Sequence, residues 1–264
     1  MDFSKYQGAG NDFILIDDRE LSFPAQDFHL IAQLCHRRFG IGADGLILLQ
    51  PSQKGDFLFR IFNADGKEAA MCGNGIRCLV HFAYSLGIQK DVYSVETLQS
   101  LLSCRLVDNQ ASSSFEYSKQ FDFPVKMGQH EVYFVNTGVP HAVVFVDTLD
   151  IPDFYHQARE IRFHSFFGLE GANVNFVTIE KDQSLRCRTY ERGVEGETLA
   201  CGTGAVAAAA VANDIFQVAS PIRVIPLSEE VLEVDIGLEG IHMTGPVHCV
   251  FKGRVSLYDS LCST

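Results

Sequence analysis

Short apolar runs alternate with polar turns along most of this chain, a pattern typical of a protein rich in β-strands. The predicted strands cover residues 13–16, 45–50, 57–62, 132–136, 142–146, 176–179, 185–190, 222–226 and 231–236. Apolar residues at helical spacing predict an early helix over residues 28–39. The polar, serine-rich residues 110–120 predict a linker or an exposed hairpin. Many short strands and few helices indicate an α+β fold with antiparallel sheets.

The sequence contains an internal repeat that ends in Cys-Gly-x-Gly. One copy covers residues 60–75 and the other covers residues 188–204. Each copy runs from a strand through a polar turn to the cysteine. Each then leads into an apolar stretch that predicts a buried helix, over residues 76–86 and 205–212. A weaker similarity pairs residues 8–13 with residues 171–176. Two copies so far apart are not a solenoid, and they predict two similar domains that face each other.

The charge balance argues against two classes of partner. The 264 residues include 33 Asp and Glu against 21 Lys and Arg, a net charge of −12. Nucleic acids and anionic membranes attract basic proteins, so we expect neither as a partner. The longest apolar stretch, residues 205–212, is far shorter than a membrane span, and the N-terminus has no secretory pattern. We therefore expect a cytoplasmic protein whose eight cysteines are free thiols.

Cys72 and Cys201, the cysteines of the two repeats, are the best candidates for chemistry. Glycines allow the backbone to approach a ligand closely. The first turn of a helix leaves free N–H groups at the positive end of the helix dipole. Such a helix end binds carboxylates, and it lowers the pKa of a cysteine placed there. Two such sites suggest one ligand held between two thiols.

This arrangement suits the inversion of an amino acid at its α-carbon. One thiolate removes the α-proton from one face, and a second thiol returns a proton to the opposite face. The intermediate carbanion needs electrostatic support, which two helix N-termini aimed at the α-carboxylate supply. We expect no cofactor and no metal in such a scheme.

The other six cysteines are expected to be small buried apolar residues. A zinc site built on Cys72 and Cys78 is disfavoured, because the spacing is wrong and a second pair of ligands is missing. The six are Cys35, Cys78, Cys104, Cys187, Cys249 and Cys262.

Eight motifs, in order along nearly the whole chain, resemble the diaminopimelate epimerase family of cofactor-independent racemases. They are KYQGAGNDFILID, RRFGIGADGL, RIFNADG, MCGNGIRC, TGVPHAVV, GANVNF, YERGVEGETLACGTGA and MTGP. Proline racemases and related epimerases share the fold and the two thiols, but usually have His at the position of Asn74. The YERG sequence before Cys201 also favours the diaminopimelate branch.

The resemblance implies a fold, an activity and a partner. The fold is α+β, with two pseudo-symmetric domains that each wrap mostly antiparallel strands around a central helix. The domains are residues 1–115, with a returning C-terminal strand at 251–264, and residues 116–250. The activity is the interconversion of LL- and meso-diaminopimelate, in the synthesis of lysine and peptidoglycan precursors. The partner is a second copy in a homodimer, with Phe251 at the contact.

The resemblance also implies roles for individual residues. In the LL-to-meso direction, Cys201 takes the proton and Cys72 returns one. His141 and Glu191 assist the thiols or orient the substrate's ammonium group, and Glu191 also binds substrate. Arg192 suits a distal carboxylate. The substrate-binding positions are Asn11, Asn63, Gly73, Asn74, Asn173, Glu191, Arg192, Gly202 and Thr203.

Three departures from the family pattern bear on specificity. Gly45 stands where the family commonly has a substrate-contacting Gln, and Val139 stands where it commonly has an Asn that binds the distal end of diaminopimelate. The YERGVEGET segment is one residue longer than the common pattern. Because two polar contacts are missing, we expect a more permissive pocket that also accepts glutamate.

Three other interpretations stay open on the sequence alone. The first is another racemase of the same fold, acting on proline or hydroxyproline, which Asn74 and Arg192 disfavour. The second is a redox or metal-binding protein, which thiol and metal analysis would distinguish. The third is a non-catalytic amino-acid-binding protein, which the presence of both thiols disfavours.

Overall fold

The protein is described here by a computed structural model that covers residues 1–107, 110–115, 118–119, 123–238 and 240–257. These residues form two compact units. The first comprises Met1–Ser113 and the segment that begins at Pro246, and the second is Ser114–Gly245. No helix of the described residues is long and apolar enough to cross a membrane.

The first unit is a mixed sheet with a helix on each face. Strand β1 (Asp2–Gly8) pairs antiparallel with β2 (Asn11–Asp17) on one side and with the C-terminal strand β19 (His248–Arg254) on the other. Its elements are β1 (Asp2–Gly8), β2 (Asn11–Asp17), α1 (Phe28–Cys35), β3 (Gly45–Gln50), β4 (Phe57–Asn63), β5 (Glu68–Ala69), α2 (Gly73–Ser85), β6 (Tyr93–Glu96), β7 (Leu101–Val107), most of β8 (Gln110–Phe115) and β19 (His248–Arg254).

Alternate residues of β2 and β3 enter two different cores. Phe13 and Ile47 pack in the cluster around α2, whereas Ile14 and Leu46 pack in the cluster around α1. Successive side chains of a strand point to opposite faces, so a strand with both faces covered is a continuous apolar run. This explains why all six residues of Gly45–Gln50 are buried.

The second unit has the same kind of elements. It begins with short strands and ends with a three-stranded antiparallel segment. Its elements are β9 (Ser118–Lys119), β10 (Val125–Met127), β11 (His130–Asn136), β12 (Pro140–Phe145), α3 (Phe154–Arg162), a 3₁₀ turn (Ser165–Phe167), β13 (Asn173–Ile179), β14 (Leu185–Glu191), β15 (Gly196–Thr198), α4 (Gly202–Phe216), β16 (Ile222–Ile225), β17 (Leu232–Gly237) and β18 (Gly240–Pro246).

The two units repeat one topology. In the first unit β2 and β3 are parallel, and α1 connects them along the sequence. Strand β4 is antiparallel to β3, and β6 is parallel to β4. In the second unit β12 and β13 are parallel and flank α3, β14 is antiparallel to β13, and β16 is parallel to β14. The predicted pair of pseudo-symmetric α+β domains is confirmed.

The weaker similarity between residues 8–13 and 171–176 does not follow this topology. Residues 8–13 lead into β2, whose counterpart is β12, whereas residues 171–176 lead into β13, the counterpart of β3. The turn before β13, which contains Gly171, corresponds by topology to the turn before β3, which contains Gly42. Gly42 and Gly171 both have positive φ, 81° and 63°, which explains glycine at this turn.

The two central helices differ in how they fill their units. Helix α2 buries a mixed apolar face that includes Ile76 and Leu79. Helix α4 is buried along Gly202–Ala212, where it is built mostly of alanine. Alanine has the highest helix propensity, and its small side chain lets strands approach the helix axis closely. Both helices begin directly after their cysteine, earlier than the apolar stretches predicted.

Several local predictions need correction. Helix α1 ends at Cys35, because His36 is extended and the Gly40 N–H then donates to the His36 carbonyl in a turn. Of the two alternatives for residues 110–120, residues 110–115 are not a linker: they form β8, which pairs antiparallel with the preceding strand β7 as in a hairpin. The strand is not fully exposed, because it buries Ala111 and Ser113. The predicted buried state is wrong for Cys249, which is exposed on β19, and Cys262 lies outside the described residues. The other four are buried as predicted, Cys35, Cys78, Cys104 and Cys187.

Candidate functional site

Cys72 is the N-cap residue of α2. Its backbone is extended, with φ −151° and ψ 113°, and its sulfur accepts a hydrogen bond from the Gly75 N–H at 3.4 Å. The first turn of α2 carries no acidic residue. The backbone N–H groups of this turn and the positive end of the helix dipole therefore favour an anion at this point.

Asn11 faces the Cys72 thiol. The thiol donates to Asn11 Oδ1 at 3.7 Å, and Asn74 Nδ2 donates to the same oxygen at 3.4 Å. On its other side the Asn11 amide donates to Asp44 Oδ2 at 2.7 Å. A carboxylate only accepts, so Asp44 fixes which end of the Asn11 amide points at the thiol.

Asn74 is held by a buried cation. Arg77 is fully buried within α2, and it donates to Asn74 Oδ1 at 3.0 Å and to the Gly73 carbonyl at 3.3 Å. The guanidinium thus orients the Asn74 amide toward Asn11 and adds positive charge to the first turn of α2. The sequence analysis missed Arg77, although a charged residue inside an apolar helical stretch was a usable signal.

An ionic network supports Asp44 and the start of β2. Asp12 pairs with Lys5 and Arg37, both at 2.7 Å, and Arg37 also pairs with Asp44 at 2.6 Å. Burial opposes ionisation of Asp12, but hydrogen bonds from Arg37 and Lys5 hold the pKa of its carboxyl well below the ordinary value. The network fixes Asp44, which fixes Asn11.

Cys201 is the N-cap residue of α4, with φ −118° and ψ 109°. Its sulfur lies 3.4 Å from Thr203 Oγ1. Burial, followed by the negative charge of Glu191, raises the pKa of the Cys201 thiol well above its ordinary value. Hydrogen bonds from the Thr203 hydroxyl and the Gly204 N–H act in the opposite direction.

His141 contacts this cysteine through Thr203. His141 Nε2 lies 2.9 Å from Thr203 Oγ1, and His141 Nδ1 lies 3.0 Å from Asn175 Nδ2. Burial, with a smaller contribution from Arg192, lowers the pKa of His141 to about 3. The ring is therefore neutral at physiological pH and acts as a hydrogen-bonding group rather than a charge.

Glu191, Arg192 and Asn173 lie together where β14 ends and β13 begins. Asn173 Oδ1 accepts the Arg192 backbone N–H at 2.8 Å, and Thr198 Oγ1 donates to Glu191 Oε1 at 2.7 Å. The Arg192 guanidinium pairs with the exposed Glu170 at 3.5 Å. Such a weak surface pair gives way readily, which leaves Arg192 able to bind a carboxylate.

Two positions that depart from the family pattern, Gly45 and Val139, differ in the space that the backbone leaves for a side chain. A Cβ atom at Gly45 would lie 2.6 Å from the Phe62 carbonyl oxygen, so this backbone has no room for a side chain there. Val139 is half-buried in the turn between β11 and β12, directly before Pro140 and His141. The structure therefore leaves Val139 as the position where a polar side chain can be restored.

Two predicted residues lie apart from the thiols' hydrogen-bonding partners. Asn63 is the last residue of β4 and pairs with Gly45 in register. Phe251 is 47% exposed on β19 and makes an edge-to-face contact with Phe3, with ring centroids 5.9 Å apart. Its place in a dimer contact stays a prediction.

Most of the other predicted residues gather around one cysteine in each unit. The first group also contains Asp44 and Arg77, and the second also contains Asn175, none of which the sequence analysis singled out. The predicted members of the first group are Asn11, Cys72, Gly73 and Asn74, and those of the second are His141, Asn173, Glu191, Arg192, Cys201, Gly202 and Thr203.

Comparison with known proteins identifies the family. A sequence profile described as diaminopimelate epimerase matches residues 3–119 and 133–250. The chain belongs to the diaminopimelate epimerase family. Among its relatives, diaminopimelate epimerase of Archaeoglobus fulgidus is 41% identical over 97% of this chain and 96% of its own. Diaminopimelate epimerase of Flavobacterium psychrophilum is 42% identical over 97% of this chain and 100% of its own.

Solved structures extend the fold beyond the diaminopimelate epimerase family. A probable proline racemase from Agrobacterium radiobacter K84 has a TM-score of 0.73 and 15% identity, covering 98% of this chain and 94% of its own. A phenazine biosynthesis protein of the PhzF family from Bacillus anthracis has a TM-score of 0.72 and 14% identity, covering 97% and 99%. At such low identity these likenesses establish the fold alone.

The buried His141 makes the stability of the protein sensitive to acid. Its pKa is about 3 in the folded state against an ordinary value of 6.5, so the unfolded chain binds one more proton between these values. Folding stability is therefore lost as the pH falls through this window. His141→Gln removes this titration. As the pH falls through the window, the free energy of unfolding should decrease less in the variant than in wild type, by up to about 1.4 kcal/mol for each pH unit. Urea unfolding at a series of pH values measures this, and parallel pH profiles would contradict it.

Glycine at position 204 permits the close approach of Asn175 to α4. A Cβ atom there would lie 2.3 Å from Asn175 Oδ1. Gly204→Ala should therefore displace Asn175 and lower the free energy of unfolding by about 1–3 kcal/mol. The matched control is Gly75→Ala, where the nearest atom is the flexible end of Ile47 at 3.0 Å. Urea unfolding of both variants checks this, and equal losses would count against the special role of Gly204.

Proposed function

We propose that this protein interconverts LL- and meso-diaminopimelate by proton transfer at the α-carbon, with two cysteines as acid and base. The observation that carries the proposal is the duplicated site: each unit places a cysteine at the N-cap of a central helix whose first turn lacks acidic residues. Membership of the diaminopimelate epimerase family supports the substrate.

The proposed reaction needs a proton acceptor and a proton donor on opposite faces of one α-carbon. In the LL-to-meso direction the Cys201 thiolate removes the α-proton and the Cys72 thiol delivers its proton, and the roles reverse in the other direction. The α-proton is weakly acidic, so the carbanion requires support. Backbone N–H groups in the first turns of α2 and α4 supply it by hydrogen-bonding the α-carboxylate, through Gly73, Asn74, Gly202 and Thr203.

The remaining residues bind and orient the substrate in this proposal. Glu191 is a carboxylate within electrostatic range of Cys201, and it accepts the α-ammonium group. Arg192 exchanges its exposed partner Glu170 for the distal carboxylate of the substrate. Asn11, Asn63 and Asn173 supply amide contacts. Thiols and backbone donors suffice for these steps, so the proposal includes no cofactor.

The setting of the reaction is also a proposal. We assign it to the synthesis of lysine and peptidoglycan precursors, where meso-diaminopimelate is consumed. Catalytic thiols must stay reduced, and a reducing compartment such as the cytoplasm meets this need. We further propose a homodimer with Phe251 at the contact, since an aromatic side chain 47% exposed suits an interface.

A second activity, racemisation of glutamate, is favoured by one observation. Val139 supplies no polar group in the turn before His141, so the distal amino acid centre of diaminopimelate loses a hydrogen-bonding partner. Glutamate lacks that centre and keeps the carboxylate that Arg192 binds. Proline and hydroxyproline are less suitable, because neither has a second carboxylate.

Loss of either thiol should abolish the main activity. Cys72→Ser and Cys201→Ser should each lower the epimerisation rate of LL-diaminopimelate by at least about 10²-fold. A serine hydroxyl is a much weaker acid than a thiol, and it hardly ionises near neutral pH to give the anion that removes the α-proton. Proton NMR in deuterium oxide with reductant measures α-proton exchange and isomer formation. Cys249→Ser, at the exposed cysteine of β19, is the control. An inactive wild type with intact thiols, or a Cys72→Ser variant that turns over like wild type, would refute the proposed function.

Restoring a polar side chain at position 139 should narrow the specificity. Val139→Asn should raise the ratio of kcat/KM for LL-diaminopimelate to that for L-glutamate by about tenfold, the effect of one hydrogen bond. Val139→Ala changes the size of the side chain without adding a polar group, and it should leave the ratio close to that of wild type. If the wild-type protein exchanges no α-proton of glutamate, the second activity is excluded. If Val139→Asn and Val139→Ala have the same ratio of kcat/KM for the two substrates, the role of Val139 in specificity is excluded.

A further inference from the structure

Behind Cys201 lies a continuous chain of polar side chains within an otherwise apolar core. His141 and Asn175 are fully buried, and Thr189 and Thr203 are 5% and 8% exposed. Thr189 Oγ1 donates to Asn175 Oδ1 at 3.0 Å, and Asn175 Nδ2 lies 3.0 Å from His141 Nδ1. His141 Nε2 then lies 2.9 Å from Thr203 Oγ1, which lies 3.4 Å from Cys201 Sγ.

The strand register places these side chains in contact. Asn175 of β13 is the pairing partner of Thr189 in the antiparallel strand β14. On the other side, β13 is parallel to β12, with Asn173 opposite His141. Asn175 is two residues beyond Asn173, so it points from the same face of the sheet. Helix α4 covers this face, and Gly204 gives Asn175 the space it needs.

One backbone carbonyl sets the direction of the hydrogen bonds along this row of polar side chains. Asn175 Nδ2 also lies 3.1 Å from the Ala142 carbonyl oxygen, which only accepts hydrogen bonds. The NH₂ end of the Asn175 amide must therefore face β12, and the oxygen end accepts from Thr189. One N–H goes to Ala142 and the other goes to His141 Nδ1. His141 Nδ1 is then an acceptor and carries no proton.

A neutral histidine with an acceptor at Nδ1 carries its proton on Nε2. His141 Nε2 therefore donates to Thr203 Oγ1. Thr203 Oγ1 accepts this hydrogen bond from the imidazole ring. The hydroxyl hydrogen of Thr203 is therefore directed away from the ring, toward the sulfur of Cys201. The hydrogen bonds thus run in one direction, from Asn175 to Cys201.

We propose that Asn175 is a positioning residue that holds His141 in the Nε2-protonated tautomer, so that the Thr203 hydroxyl donates a hydrogen bond to the Cys201 sulfur. A donor at this point stabilises the thiolate over the thiol. Burial, Glu191 and the neighbouring Cys187 act against the thiolate, whereas Thr203 and Gly204 favour it. Arg192 is the charged group that faces His141, and like burial it disfavours a second proton on the ring. The catalytic importance of this thiolate rests on the proposed function, but the hydrogen-bond direction does not.

The tautomer of His141 is the first test. Full-length protein labelled with ¹⁵N-histidine is studied by ¹H–¹⁵N NMR between about pH 5 and 8, where an ordinary histidine titrates. The His141 signals are assigned by their loss in His141→Gln. We expect a proton on Nε2, none on Nδ1, and no titration. In Asn175→Asp the carboxylate only accepts, so Nδ1 should gain a proton. A wild-type ring protonated on Nδ1 overturns the proposal, and so does an unchanged tautomer in Asn175→Asp.

The second test concerns the hydroxyl of Thr203 and needs no substrate. Thr203→Val keeps the shape of the side chain and removes the hydroxyl, whereas Thr203→Ser keeps the hydroxyl. Iodoacetamide labelling as a function of pH, followed by mass spectrometry of each cysteine, reports the thiolate of Cys201, with Cys72 as the internal reference. Thr203→Val should move the Cys201 profile up by about one pH unit, the effect of one hydrogen bond to a charged group. Thr203→Ser should leave it in place.

The proposal is overturned if labelling of Cys201 depends on pH in the same way in Thr203→Val and Thr203→Ser. It is also overturned if Thr203→Val shifts the pH dependence of labelling equally at Cys72 and Cys201. Both tests are independent of epimerase activity. If the protein failed to epimerise diaminopimelate but showed the expected tautomer and labelling profiles, the proposed function alone would fail. If it epimerised diaminopimelate with Nδ1 of His141 protonated, the positioning role alone would fail.

Discussion

The structure depends on one interaction used twice, a cysteine sulfur held at the N-terminus of a central helix. The first turn of a helix exposes backbone N–H groups that have no partner within the helix. Two of these groups, the N–H of Gly75 and the N–H of Gly204, donate to the sulfur atoms of Cys72 and Cys201. The sheet of each unit wraps its helix, so the apolar core fixes where each helix begins. In the proposed function, backbone N–H groups bind the substrate carboxylate, and the cysteine side chains serve as acid and base.

Duplication fixes the backbone of both sites but not their hydrogen bonding. The Cys72 thiol donates to Asn11 Oδ1, an oxygen that Asp44 holds in place. Cys201 instead lies against a hydroxyl that His141 hydrogen-bonds from behind. An acceptor beside a thiol favours its protonated form, whereas a donor favours the thiolate. One repeated backbone thus holds the two cysteines in different hydrogen-bonding environments.

The sequence predicted the features that repeat or that have a strong local pattern. Cys72 and Cys201 stood out because their whole context occurs twice, and β3 stood out as a continuous apolar run. Asn175 was missed because its partners come from two other strands, β12 and β14, and no local pattern indicates them. Arg77 was missed although it is a charged residue inside an apolar helical stretch and its partners, Gly73 and Asn74, lie in the same helix. Residues 110–115 were misjudged because serine suggests a turn, whereas small side chains at alternate positions also fit a covered strand face. The exposure of Cys249 depends on what covers β19, which a sequence does not specify.

Specificity in this fold is constrained by backbone geometry as much as by side-chain choice. Gly45 is not simply a lost contact, because the Phe62 carbonyl oxygen occupies the space of any side chain there. A chain with Gln at this position must also shift β3 relative to β4. Val139 is under no such constraint, since it lies in a turn rather than between paired strands. The proposed widening of substrate range therefore rests on the β11–β12 turn, next to His141, rather than on the strand position of Gly45.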